Sequence, residues 1–341
     1  MANTKVGISM SRKRKPASLS DIAAASGYSI ATVSRAISHR GSVSAVAQRT
    51  IDALVAEMDY HVTNTRQPAK STTIAVLIPN LSNPFNSSVL EGIQNAANAH
   101  DLNVALLMVK ETDTNIEYYL NMLKDANYCG VIALAALPDN QTAYQLNHEI
   151  PVVMCSEYLE DTEMSYVGIN DDIAAQKATD YLTRIGRRHI ALINATTNHK
   201  YAREREAGYK QALRRAQLSF EADLVLHINS IRYNLALSKV TDLLRTRTEI
   251  DAIFATSDIF AIAALEAARH LGRRVPDELS VVGFDNIFLA TVVSPKLTTI
   301  KQPAYEIGHE ACEILREKIA RKNAPERHEV LEASLLVRES T

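Results

Sequence analysis

Between Leu19 and Ile37 apolar residues recur at helical spacing around a single glycine. Ser18 can cap a first helix, with Asp21 three residues on as its capping partner. Ile22, Ala23 and Ala25-Ser26 make a small-residue helix, and Gly27 ends it where a tight turn needs positive φ. Ser29 caps a second helix, with Val33, Ala36 and Ile37 on one face and Thr32, Ser34 and Arg35 on another. A third helix is expected over residues 45–60, capped by Ser44, with Val46, Ile51, Leu54, Val55 and Met58 in register. Residues 61–71 are polar, contain Pro68 and have no apolar period, so they read as a linker. Residues 18–37 fit a helix-turn-helix, but spacing by itself favours a plain αα-hairpin.

The texture changes at Thr73. Thr73–Pro79 is an unbroken apolar run, as are Asn103–Val109, Gly130–Ala135 and Pro151–Cys155. Further strands are expected at Ser165–Ile169, Ile190–Asn194, Leu224–His227, Ala252–Thr256 and Ser280–Phe284. Amphipathic helices fall between them, near 87–100, 114–126, 140–148, 172–185, 202–215, 233–246 and 259–271, with another at 304–321. Continuous Val/Ile/Leu strands alternating with helices predict parallel sheets covered on both faces. There are too many strands for one compact doubly wound sheet, so two α/β lobes with a cleft between them fit better.

Charge sharpens the division. Residues 1–70 carry ten Lys/Arg and four acids, a net of +6, while the whole chain of 341 residues is at −2. A basic head on an acidic body is what a nucleic-acid-binding domain on a larger core would show. Arg12-Lys13-Arg14-Lys15 makes residues 1–17 a basic arm, expected to be disordered. Cys129, Cys155 and Cys312 are scattered and odd in number, which argues against a disulfide framework and for a reducing compartment. No apolar stretch follows the basic N-terminus and none approaches the ~20 residues of a membrane span. A cytoplasmic protein is expected.

On these residues the chain resembles the LacI/GalR family of transcription repressors. The headpiece pattern is carried by Leu19, Asp21, Ile22, Ala23, Gly27, Ser29 and Thr32-Val33-Ser34-Arg35, with Val43-Ser44 and Asp59-Tyr60 further on. The body matches at Ile78-Pro79, Asn83-Pro84-Phe85, Val167-Gly168-Ile169-Asn170 and Arg205-Glu-Ala-Gly208-Tyr209. Val275–Asn286 and Leu297–Pro303 match almost word for word. Met154–Tyr158, Ala212–Arg215 and Tyr305–Gly308 are most similar to the branch that holds the cytidine repressor. The resemblance implies a type I periplasmic-binding-protein-like core of parallel sheets behind a helix-turn-helix domain at 18–60. Three crossovers are placed near 170, 300 and 329, so that one lobe takes 72–169 and 301–328 and the other 170–299 and 329–341. It also implies a homodimer on an operator of two half-sites, and a small-molecule effector in the cleft.

Ligands of such sheets sit at the carboxyl ends of the strands. Family effector positions carry over to Phe85, Asn86, Ser156, Tyr201, Arg205, approximately Ile231, and Asp285. Arg205 and Asp285 are opposed charges, suited either to a hydroxyl-rich ligand or to an inter-lobe salt bridge. His199 and Tyr201 weaken a purine-base reading, which leaves a nucleoside or a sugar as the effector.

Rival classes fare worse. GxSxG, P-loop and GxGxxG motifs are absent, and His309-Glu310 lacks the second histidine of a zinc helix because residue 313 is Glu. No enzyme activity, cofactor or metal is expected. A periplasmic sugar-binding protein would share the body but not the headpiece. A regulator that depends on a partner protein for DNA binding is the remaining alternative.

The second helix of a helix-turn-helix enters the major groove. Ile30, Ala31 and Arg35 then face base edges, with Arg35 able to pair with guanine O6/N7 and the other two limited to apolar contact. Ser18, Ser29, Thr32, Ser34, Ser38 and Ser44 suit phosphates. Where family members carry a leucine that wedges into the minor groove, this chain has His61–Ala69: the wedge position falls at Ala69 or nowhere, and Pro68 would end a helix there. The operator is therefore expected to bend weakly. A circular-permutation gel assay should show no sharp central kink, and a sharp one would refute this.

Overall fold

The computed structural model describes residues 17–37, 43–58, 60, 71–109, 116–124, 127–321 and 324–341. The basic arm up to residue 16, Ser38 and hinge residues 61–70 lie outside the described residues. The chain divides into two compact units, Met1–Ala69 and Lys70–Thr341.

The first unit holds three helices, α1 (Leu19–Ser26), α2 (Ile30–Ile37) and α3 (Ala45–Glu57). Ser18 and Asp21 form a reciprocal capping box, and Gly27 closes α1 in the left-handed region at φ 73°. Ile22, Val33, Ala36 and Ile51 are fully buried where the three helices meet, with Leu54, Val55 and Met58 packed around them. Val46, expected in this core, is 71% exposed. It precedes Ile51 by five residues, about 140° round the helix, and Ala47 takes the buried position instead.

The second unit contains two six-stranded sheets. The first lobe is built on β1 (Thr73–Ile78), β2 (Asn103–Met108), β3 (Gly130–Ala133), β4 (Val152–Cys155), β5 (Tyr166–Ile169) and β11 (His328–Leu331), in the order β11-β5-β4-β3-β1-β2. Every pairing in it is parallel. The second lobe is built on β6 (Ile190–Ala195), β7 (Val225–Ile228), β8 (Ala252–Ala255), β9 (Ser280–Asp285), β10 (Thr298–Lys301) and β12 (Ser334–Leu336), in the order β12-β10-β9-β8-β6-β7. Helices α4 (Pro84–Ala99), α5 (Ile116–Lys124), α6 (Asn140–Glu149) and α11 (Ala304–Ala320) belong with the first sheet; α7 (Asp171–Arg184), α8 (Lys200–Arg215), α9 (Tyr233–Thr246) and α10 (Asp258–His270) with the second.

Two expectations need correction. The second sheet is mixed, because β12 runs antiparallel to β10. The reason is directional. β11 runs with its parallel sheet, only Glu332 and Ala333 separate it from β12, and the chain therefore enters the second sheet from the end where the other strands leave. The third crossover is accordingly at 332–333 rather than near 329, since Glu329, Val330 and Leu331 pair with β5. The second crossover follows Lys301, which pairs with Asp285 in the second sheet.

Helices α4 and α11 touch through their backbones. A Cβ on Gly92 would strike the Tyr305 carbonyl oxygen, and one on Gly308 the Val89 carbonyl oxygen. Both contacts are with main chain, which side-chain rotation cannot relieve. Gly308→Ala should destabilise the core by ~1–3 kcal/mol through overpacking, measured by denaturant unfolding; a change within experimental error would show that the helices separate freely.

Candidate effector cleft and DNA-reading surface

The strands of both sheets end at one cavity of about 950 Å³, counting its mouth. Phe85, Asn86 and Ser156 line it from the first lobe, and Tyr201, Arg205, Ile231 and Asp285 from the second. All seven positions expected from the sequence are thus brought together. Asn80, Asn83, Glu157, Thr196, His199 and Gln302 line it as well. Asn83 caps α4 by accepting the Phe85 N–H at 3.2 Å, and Asn86 Nδ2 donates to the Asn80 carbonyl at 3.0 Å. Ser156 and Asp285 have φ of 68° and 109°, conformations that non-glycine residues adopt under strain and that cluster at binding sites.

Arg205 departs from its expected pairing. Its short partner is Asp171, the first residue of α7, with Nε 2.7 Å from Oδ1. Nη1 donates to the Thr256 carbonyl at 2.6 Å and stands 4.0 Å from Asp285. The guanidinium lies 3.6 Å from the Phe284 ring centre and 4.9 Å from that of Tyr201. Arg205, Asp171 and Asp285 all belong to the second lobe, so this is no inter-lobe bridge. Burial opposes the guanidinium charge, and the adjacent Asp171 and Asp285 hold its pKa above the ordinary value. Asp171 was missed in the sequence; its position just past Val167–Asn170, at a crossover, was the available signal.

Asp285 accepts from Gln302 Nε2 at 2.7 Å and from Ser257 Oγ at 3.2 Å. Burial pushes its carboxyl up to about 6, against the pull of Arg205. Behind it Asp258 accepts the Ile287 N–H at 2.8 Å and the Thr299 hydroxyl at 2.6 Å, and burial followed by the Asp285 charge raises it well above the carboxylate range.

On the headpiece Ile30 is 53% exposed, and Ala31 and Arg35 are exposed beside it. Arg35 Nε donates to the Ala31 carbonyl at 3.2 Å, so its fork lies along α2. The serines expected at phosphates are largely caps: Ser18 accepts the Asp21 N–H at 3.3 Å, Ser29 the Thr32 N–H at 3.2 Å and Ser44 the Ala47 N–H at 3.3 Å. Ser34 is exposed on α2. Among the described residues no helix is long and apolar enough to cross a membrane.

Removing Arg205 strands Asp171 as a buried charge. Arg205→Met should cost ~3–5 kcal/mol in unfolding experiments, and adding Asp171→Asn should recover part of it. Strictly additive losses would show that the two are not coupled.

Residues 18–63 match the family of bacterial regulatory proteins named for lacI, and residues 179–341 match a periplasmic binding protein-like domain. The chain is similar to the ribose operon repressor of Halalkalibacterium halodurans, 31% identical over 94% of this chain and 96% of that one. It is 28% identical to the transcriptional repressor CytR of Escherichia coli strain K12, over 97% and 98% of the two chains. Among solved structures it resembles the regulator CelR in complex with cellobiose, with a TM-score of 0.73 at 27% identity, covering 95% of this chain and all of that one. The chain belongs to the lacI family of bacterial regulatory proteins: it is a DNA-binding regulator rather than an enzyme, with operator binding under the control of a ligand-binding core.

Proposed function

We propose that this regulator is a repressor that binds two operator half-sites as a homodimer and responds to a nucleoside or a sugar held between its lobes. One observation carries the reading: residues from both lobes, polar and aromatic together, line a single cavity at the strand ends. Phe85 and Tyr201 offer ring faces; Asn86, Gln302 and Asp285 offer directional hydrogen bonds to hydroxyls. The relatives named for ribose and solved with cellobiose support a polyol; CytR supports the cytidine-repressor branch. The type I arrangement is favoured by strand orders in which β1 lies between β2 and β3, and β6 between β7 and β8. For the dimer, Phe288 (76% exposed), Leu289 and Val292 supply exposed apolar surface on the second lobe.

Thermal-shift screening of nucleosides, bases and sugars tests the effector. A hit should raise Tm in the unaltered protein and lose most of its effect in both Asn86→Ala and Tyr201→Ala, one from each lobe. A hit indifferent to both variants would place the ligand elsewhere. On DNA, Arg35→Ala should cost ~1–3 kcal/mol at one guanine and relax preference there. A uniform loss across sequences would make Arg35 a phosphate contact instead. Footprinting with the purified protein alone should protect both half-sites; protection only after adding a protein partner would favour the co-regulator reading.

A further inference from the structure

Glu157 stands one residue beyond Ser156, at the end of β4 on the first lobe, and lines the cleft. Its Oε1 accepts the backbone N–H of Lys200 at 2.7 Å, and its Oε2 that of Tyr201 at 3.4 Å. Those donors are the first two amides of α8, on the second lobe. The first amides of any helix lack intrahelical partners, and the N-cap residue of α8, His199, makes no side-chain capping bond. The cap therefore comes from the opposite lobe. Two more contacts cross at the same place. Lys200 Nζ lies 3.9 Å from the Tyr158 ring centre, and Arg203 Nη2 is 2.7 Å from Glu160 Oε1.

Burial raises the proton affinity of Glu157, and the Lys200 amide and the His199 charge oppose it. Both of its oxygens accept N–H bonds, which is the bonding of an ionised carboxylate.

A helix N-terminus attracts anions because its amides point outward and its dipole is positive there. A phosphate ester entering this cleft would find that position already taken. Lys200 and Arg203 line a second cavity that shares Glu157 and Ala136 with the cleft. Arg205 is occupied by Asp171 and the Thr256 carbonyl. Asp285 adds a second carboxylate to the wall.

We infer that Glu157 sets the charge selectivity of the effector cleft: it fills the α8 anion position with the protein's own carboxylate, so that a neutral nucleoside or sugar is taken and its phosphate ester is rejected. The ligand class rests on the cleft being the effector site; the occupancy of the α8 amides does not. A phosphate ester has to displace Glu157 from those amides or stand beside it as a like charge, and either course weakens binding.

Inorganic phosphate is the probe that needs no effector. Thermal unfolding of the full chain is followed while phosphate is titrated against chloride at matched ionic strength, for the unaltered protein, Glu157→Gln and Glu157→Ala. The unaltered protein should show no saturable rise in Tm. Glu157→Ala, with the amides uncovered, should gain one and bind phosphate about tenfold tighter or better. Glu157→Gln keeps the shape without the charge and should gain a smaller rise, which keeps the test readable if the alanine variant does not fold. Saturable phosphate binding by the unaltered protein would overturn the inference, as would the absence of any gain in the variants that fold. A parallel comparison of cytidine with cytidine 5′-monophosphate, and of ribose with ribose 5-phosphate, reads the effector side. An ester that binds the unaltered protein as tightly as its parent also overturns the selectivity. If no neutral ligand binds while the variants gain phosphate, the effector reading fails and the role of Glu157 at α8 stands.

Discussion

The buried guanidinium of Arg205 is the constraint on which the second lobe's half of the cleft depends. It joins α8 to the start of α7 through Asp171 and to the end of β8 through the Thr256 carbonyl, and it sits 3.6 Å from the ring centre of Phe284 of β9. Four separate elements thus meet at one planar cation. A charge taken out of water is tolerated only when its partners are fixed, so Asp171, Thr256 and Phe284 cannot drift without leaving Arg205 unsatisfied. Arginine suits this place because its fork can bond in several directions while its face stacks on a ring. Asp285, 4.0 Å away, is the acid that this cluster leaves facing the cleft.

That rigidity on one side contrasts with the bonds across the cleft. The lobes share three chain crossings, and side chains of residues 157–160 reach the first turn of α8. These cross-lobe bonds are polar, and a continuous apolar core also joins the lobes, with Ile78, Phe85 and Ile307 in the same buried cluster as Phe254, Phe284 and Ile287. A cleft walled by both lobes suits a ligand-controlled regulator, since a ligand shifts an equilibrium only by touching two arrangements differently. The three-helix headpiece, in turn, has a core of a few fully buried side chains and carries its exposed chemistry on α2.

Much of the fold was legible because period and punctuation agree. The apolar runs from Thr73 onward became strands, Gly27 became the turn it was expected to be, and Ser18, Ser29 and Ser44 became caps. The short strands β10, β11 and β12 carry too few residues for a period, and their pairing was decided by the sheets they met. The mixed second sheet follows from the two-residue link between β11 and β12, which leaves no room for the chain to reverse. Val46 shows the limit of the helical pattern itself: near a helix end a single apolar residue can fall outside the stripe at no cost.

By itself, the sequence determined the helical head and the alternating α/β body, because local periodicity is a property of the chain; its motifs resembled one family, and that resemblance supplied the seven positions that line one cavity. Only the tertiary structure decided who partners whom. The pairing of Arg205 with Asp171 rather than chiefly with Asp285 joins residues 34 apart, and the capping of α8 by Glu157 joins residues 43 and 44 apart on different lobes. Hydrogen bonds and charge pairs act over a few ångströms of space, and nothing in a local pattern records which distant residues folding will bring that close.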